Sequence, residues 1–185
     1  MTISILERLS KSSGPLHFLA TQWEQAREGA LLPRRDALTA RRLIPILPLM
    51  AIYECRSPEE ILFRLCGSNY SEMVGGNLTG KNIIDLAIGD DNRRRRIERW
   101  GAMLSLPCGA IAHGAVPQQS GNVIRCDTLF LPVAPDEDSA PLQFMSVIEE
   151  VAASELPPEV QEAFTRRVQI YSDDFVFVDI GRGVP

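Results

Sequence analysis

The sequence holds only two histidines, His17 and His113, and four cysteines, with no C-x-x-C pair among them. A zinc site would have to gather ligands from scattered positions, so no metal is expected. Cys55, Cys66, Cys108 and Cys126 each sit in or beside an apolar run, the pattern of buried free thiols in a reducing cytoplasm. No apolar run approaches the ~20 residues that a membrane helix needs, and no membrane insertion is expected. The opening MTISILERLSKSSG lacks a basic segment followed by a long apolar core, so a secretory leader is not expected and the location is read as cytoplasmic. Excess basic charge is missing too. A net charge of -5 and a pI near 5.1 argue against a general nucleic-acid binder, which carries a basic stripe.

Catalytic signatures are equally scarce. Gly75 and Gly80-Lys81 fit the GxxxxGK of a phosphate loop, but Asn82 stands where the magnesium-binding hydroxyl should be. GxGxxG, GxSxG and HExxH are absent. Cys108 and His113 fall five apart along one expected strand, which points them to opposite faces. A small isomerase- or hydratase-like enzyme would need a carboxylate on a pocket-facing strand position. Asp127 is the best candidate for that base, because Leu129 and Leu131 share its face.

What the chain does contain is the pattern of one α+β domain. Its 185 residues fall within the ~100–200 of a single domain and can bury a core without a disulfide or metal staple. SSGPLHFLATQWEQAREG reads as a helix, capped by Ser13 or Gly14, opened by Pro15 and stopped by Gly29. Leu16, Leu19, Trp23 and Ala26 form its apolar stripe, which can pack on the domain's own sheet or on a second copy of the chain. LPLMAIYEC and EILFRLCG, joined by a short turn, predict an antiparallel hairpin. SNYSEMV and NIIDLAI suit short helices, with Gly75–Gly76 stopping the first and Thr79 capping the second. DDNRRRRIERWGAMLSLP predicts a longer helix capped by Asp90 or Asp91, with Ile97, Trp100 and Met103 or Leu104 on its apolar face. GAIAHGAV, NVIRCDTLFLPV and PLQFMSVIEE predict three more strands. The expected whole is a five-stranded antiparallel sheet with helices on one face. After residue 150, PPEVQEAFTRRV predicts a helix and FVFVDI a short strand, both too apolar to be disordered.

The four consecutive arginines Arg93, Arg94, Arg95 and Arg96 oppose the dipole at the start of their helix. They read either as a solvated face or as a contact for an acidic partner or anionic ligand.

Three stretches together carry a family resemblance: ATQWEQAREGALLPRRDAL, LIPILPLMAIYE and FRLCGSNYSEMVGGNLTGKNIIDL. They resemble the standalone PAS-like domains common in alphaproteobacteria, over about residues 16–150 and most tightly over 16–86. The resemblance implies a PAS domain over residues 1–150, including a flanking helix at about 13–29; residues 151–185 have no counterpart in it and, being apolar, are expected to form a C-terminal extension that packs on the domain or on a partner. It implies sheet order 2-1-5-4-3 and a non-enzymatic sensory or regulatory role in signal transduction, through an unknown signalling protein and a bound small ligand. It also implies a homodimer, with Leu16, Leu19 and Trp23 at the interface. No kinase, cyclase or DNA-binding segment is expected beside it. Flavin is not expected, because SNYSEM lacks the cysteine of photosensory relatives. Haem is not expected either, because Asp90–Leu106 holds no histidine. Tyr70, Met73, Ile84, Trp100, Met103, His113 and Phe144 are the expected pocket lining, with core packing as the alternative role. A simple ligand carrier and the small enzyme stand as the other readings.

Overall fold

Side-chain alternation along the strands decides what lies on each face of the sheet. The computed structural model describes residues 5–9, 14–117, 123–137, 139–151 and 171–185. Strands β1 (Met50–Ser57), β2 (Glu60–Cys66), β3 (Gly109–Pro117), β4 (Val123–Val133), β5 (Gln143–Glu150) and β6 (Tyr171–Val178) form one sheet of order β2-β1-β5-β4-β3-β6. Every neighbouring pair is antiparallel. The expected order 2-1-5-4-3 is present, and β6 extends it by pairing with β3 from Gly109↔Val178 to Ala115↔Tyr171. The helix expected over 157–168 lies outside the described residues.

One face carries Tyr53, Phe63, Phe130 and Phe144 beneath α4 (Ser68–Met73), a 3-10 turn (Ile83–Leu86) and α5 (Gly89–Ser105). The other carries Ile52, Leu129, Leu131, Met145 and Val147 beneath α2 (Pro15–Ala26), with α1 (Ile5–Arg8) and α3 (Ala40–Leu43) beside it. The N-terminal helix therefore covers the sheet's second face. Gly14 is its N-cap and Pro15 opens its first turn, where a missing N–H costs nothing. The chain leaves the helix through Glu28 and Gly29, both at positive φ. Leu16, Leu19 and Trp23 are buried by the chain's own sheet, each contributing roughly 1.5–3 kcal/mol of apolar burial. Trp23 Nε1 donates to the Pro132 carbonyl at 2.7 Å, so the indole is also fixed by a buried hydrogen bond. These three side chains are core residues of one chain, and the dimer-interface role expected for them has no free surface here.

The glycine-rich stretch after β2 has separate reasons for its glycines. A Cβ at Gly67 would lie 2.4 Å from the carbonyl oxygens of Leu47 and Pro48, so the chain passes there only without a side chain. Gly75, at φ 81, lets the chain turn away after α4. Thr79 does not cap the next turn. Asn82 does, its Oδ1 accepting from the Ile84 N–H at 3.2 Å and from the Ile61 N–H at 3.1 Å. One amide thus holds the turn against β2, a link that a cap read from local sequence cannot reveal. Asp90 and Asp91 are likewise not caps. Ile88 holds that position, and the two carboxylates lie in the first turn of α5, where the helix dipole favours them.

Candidate ligand site

Helix α5 buries Asn92, Arg96, Trp100 and Met103, a stripe at helical spacing that faces the sheet. The four-arginine run therefore divides. Arg93, Arg94 and Arg95 are exposed, and Arg94 pairs with Asp91 at 2.9 Å. Arg96 is only 7% exposed, so it does not belong to the surface contact expected for the run. Its guanidinium donates to the Ile83 carbonyl and, at 3.4 Å, to Asn92 Oδ1. Burial is the main influence on it and pulls its pKa down to about 10, with Arg99 nearby acting in the same direction. It remains a cation at neutral pH.

Between α5 and the sheet lies a recess of about 580 Å3 counting its open mouth, with about 50 Å3 of room for the centres of water-sized molecules. The room exists because β3 presents Ala112 and Gly114 there, where larger side chains would close it. Arg96, Arg99, Tyr70 and Thr128 supply polar groups to the wall, and Trp100, Phe130, Ile148 and Phe175 supply apolar surface. Phe175 comes from β6, and Arg99 lies over its ring, 4.9 Å from the centroid. This is a favourable cation–π arrangement. The Phe130 and Phe175 rings are 6.4 Å apart.

A chain of hydroxyls leads to this wall from the core. Ser146 Oγ donates to the Tyr53 hydroxyl at 3.3 Å, and the Tyr53 and Tyr70 hydroxyls are 3.2 Å apart. Burial raises the pKa of both phenols, so both are neutral and each can donate or accept.

Of the residues expected to line a pocket, Tyr70 and Trp100 do so. Ile84, Met103 and Phe144 belong to the same buried cluster, and Met73 packs against it. Phe144 meets Trp100 edge to face at 5.3 Å and supports the wall without forming it. His113 lies elsewhere. Ala112 and Gly114 face the recess, so strand alternation sends His113 to the face shared with Leu129 and Leu131. There its Nδ1 is 2.7 Å from Asp127 Oδ1. Glu149 stands opposite Asp127 and Asp174 opposite His113, which makes a polar row across four strands. Burial, and then Asp127, raise the Glu149 pKa. Asp127, the expected base of an enzyme reading, is thus on the sheet face away from the recess. Among the described residues, no group of three or more His, Cys, Asp or Glu is placed to hold a metal ion.

As lining of the recess, sequence reasoning did not pick out Arg96, which it read only with the other three arginines as a partner or anion contact, nor Arg99, Thr128, Phe130 and Phe175. Two were within reach: Arg96 lies four residues before Trp100, which puts both on one helix face, and Thr128 alternates with Phe130 along β4.

A family model described as the PAS domain matches residues 11–148. The chain is similar to the Rhodobacter sphaeroides LOV protein at 20% identity and a TM-score of 0.43, covering 56% of this chain and 59% of that one. It is similar to the PAS domain of Bordetella pertussis BvgS at 17% identity and a TM-score of 0.45, covering 64% and 89%. It is also similar to the PAS domain of an HTR-like protein from Haloarcula marismortui, at 12% identity and a TM-score of 0.42, covering 63% and 95%. No curated protein matches it.

Proposed function

The chain belongs to the PAS domain family, and on that footing we propose that it is a non-enzymatic sensor whose signal is a small molecule held between α5 and the sheet. The observation that carries this reading is the recess itself, with a buried cation and aromatic walls on the helix-covered face of a PAS sheet. PAS domains are sensory signalling modules, and a recess with a few polar groups among apolar walls has the make-up of a small-molecule site.

The route from site to output runs through β6. Phe175 lines the recess while its strand pairs with β3. An occupant that favours one position of the Phe175 ring shifts the population of docked β6, and with it the C-terminal segment. A partner protein or a second copy of the chain then reads that shift. Self-association in this reading uses surfaces other than Leu16, Leu19 and Trp23, which the sheet covers. Four free cysteines, three of them buried, fit a reducing cytoplasm. The run ATQWEQAREGALLPRRDAL supports a place among the alphaproteobacterial members of the family.

Native mass spectrometry of the chain isolated from its host organism tests this. The expected spectrum shows the chain with a bound small molecule, in a dimer or with a partner. A bare monomer, with neither ligand nor partner in repeated preparations, would overturn the proposal.

A further inference from the structure

We infer that the recess selects a small carboxylate with a ring-sized apolar body, its carboxylate held by Arg96 and Arg99. This rests on the small-molecule reading above and adds the chemical class of the ligand. Two guanidinium groups one helical turn apart line the same recess, and the Ile83 carbonyl and Asn92 fix the position of the deeper one. Arg96 is buried and Arg99 half-buried, and a buried charge attracts an anion more strongly than a fully solvated one does.

The rest of the wall decides between kinds of anion. A planar guanidinium offers paired donors that match the two oxygens of a carboxylate. A free phosphate would need polar neighbours on every side, whereas Trp100, Phe130, Ile148 and Phe175 present rings and aliphatic groups. They match the apolar body of an aryl or short-chain acid. Tyr70 and Thr128 add hydroxyls suited to the second carboxylate oxygen.

The test titrates the full chain with benzoate, phenylacetate and hexanoate, with benzamide as the neutral isostere and with inorganic phosphate. Calorimetry reads the binding. At least one of the acids should bind ten or more times tighter than benzamide, with phosphate not binding. Arg96 is buried, so Arg96→Met risks losing the fold. Arg99→Gln keeps the buried cation and should cut the acid-over-amide preference at least tenfold. Gly114→Leu, filling the recess, should abolish acid binding while the folded circular dichroism spectrum is kept. Equal binding of benzoate and benzamide would overturn the carboxylate assignment and leave small-molecule sensing standing. Binding of phosphate alone, or of none of the five, would also overturn it; the sensing reading fails only if the chain from its host is bare as well.

Discussion

The hydroxyl oxygens of Tyr53 and Tyr70 lie 3.2 Å apart in the core, and Ser146 reaches the first of them from the sheet. Tyr53 is the shared member, so Tyr53→Phe strips a partner from two buried hydroxyls at once. The expected loss is about 1–3 kcal/mol by urea denaturation. Tyr53→Phe combined with Ser146→Ala should cost less than the sum of the single changes, because both remove the same bond. Additive costs would show that the hydroxyls act independently.

Leu19 is fully buried between α2 and the sheet. Leu19→Ala should lower stability by roughly 2–5 kcal/mol, the range for an emptied core site. The loss should be the same at low and high protein concentration. A variant that kept its unfolding midpoint but lost a dimer in sedimentation would mean that the stripe serves a second copy.

Both buried phenols have raised pKa values, chiefly from burial. As pH climbs above the ordinary phenol value near 10, the unfolded chain releases protons that the folded chain keeps. Stability is therefore held below that pH and falls as pH rises towards the raised values. In a Tyr171→Phe background, where Tyr53 and Tyr70 are the tyrosines left of three, tyrosinate absorbance should appear together with unfolding. Tyrosinate forming while the circular dichroism stays native would contradict the burial.

The thiols should react in a set order. Burial pushes the Cys108 thiol up to about 11 and raises Cys55 as well, whereas Cys66 is part-exposed with a smaller upward push, also from burial. Iodoacetamide at pH 8 should label Cys66 first, more slowly than free cysteine, and leave Cys55 and Cys108 unmodified until the chain unfolds. Peptide mass mapping reads the order, and early labelling of Cys55 would contradict it.

The five central strands were legible because each is a short alternating run bounded by turn residues. Strand β6 was legible as an alternation, FVFVDI, but its place beside β3 was not. That pairing joins residues more than fifty positions apart and leaves no local trace. In the candidate site, Trp100 and Tyr70 stood out as large aromatics on amphipathic elements. Arg96 did not, since four adjacent arginines look alike until the phase of α5 turns one inward. His113 was drawn to the wrong face by its chemistry: alternation separates it from Ala112 and Gly114, but which strand face meets α5 is settled only by packing. Asn82 as the cap depends on β2 lying against it, a tertiary contact.

The central claim is that the recess beneath α5 is the sensing site and that β6 reports its state. Protein-observed NMR during a titration with benzoate and phenylacetate tests both parts together. The account predicts saturable shifts at Arg99, Trp100, Thr128 and Phe175, continuing through the β6 amides that pair with β3. Shifts scattered over the surface, or confined to the α2 face around His113 and Asp127, would contradict it.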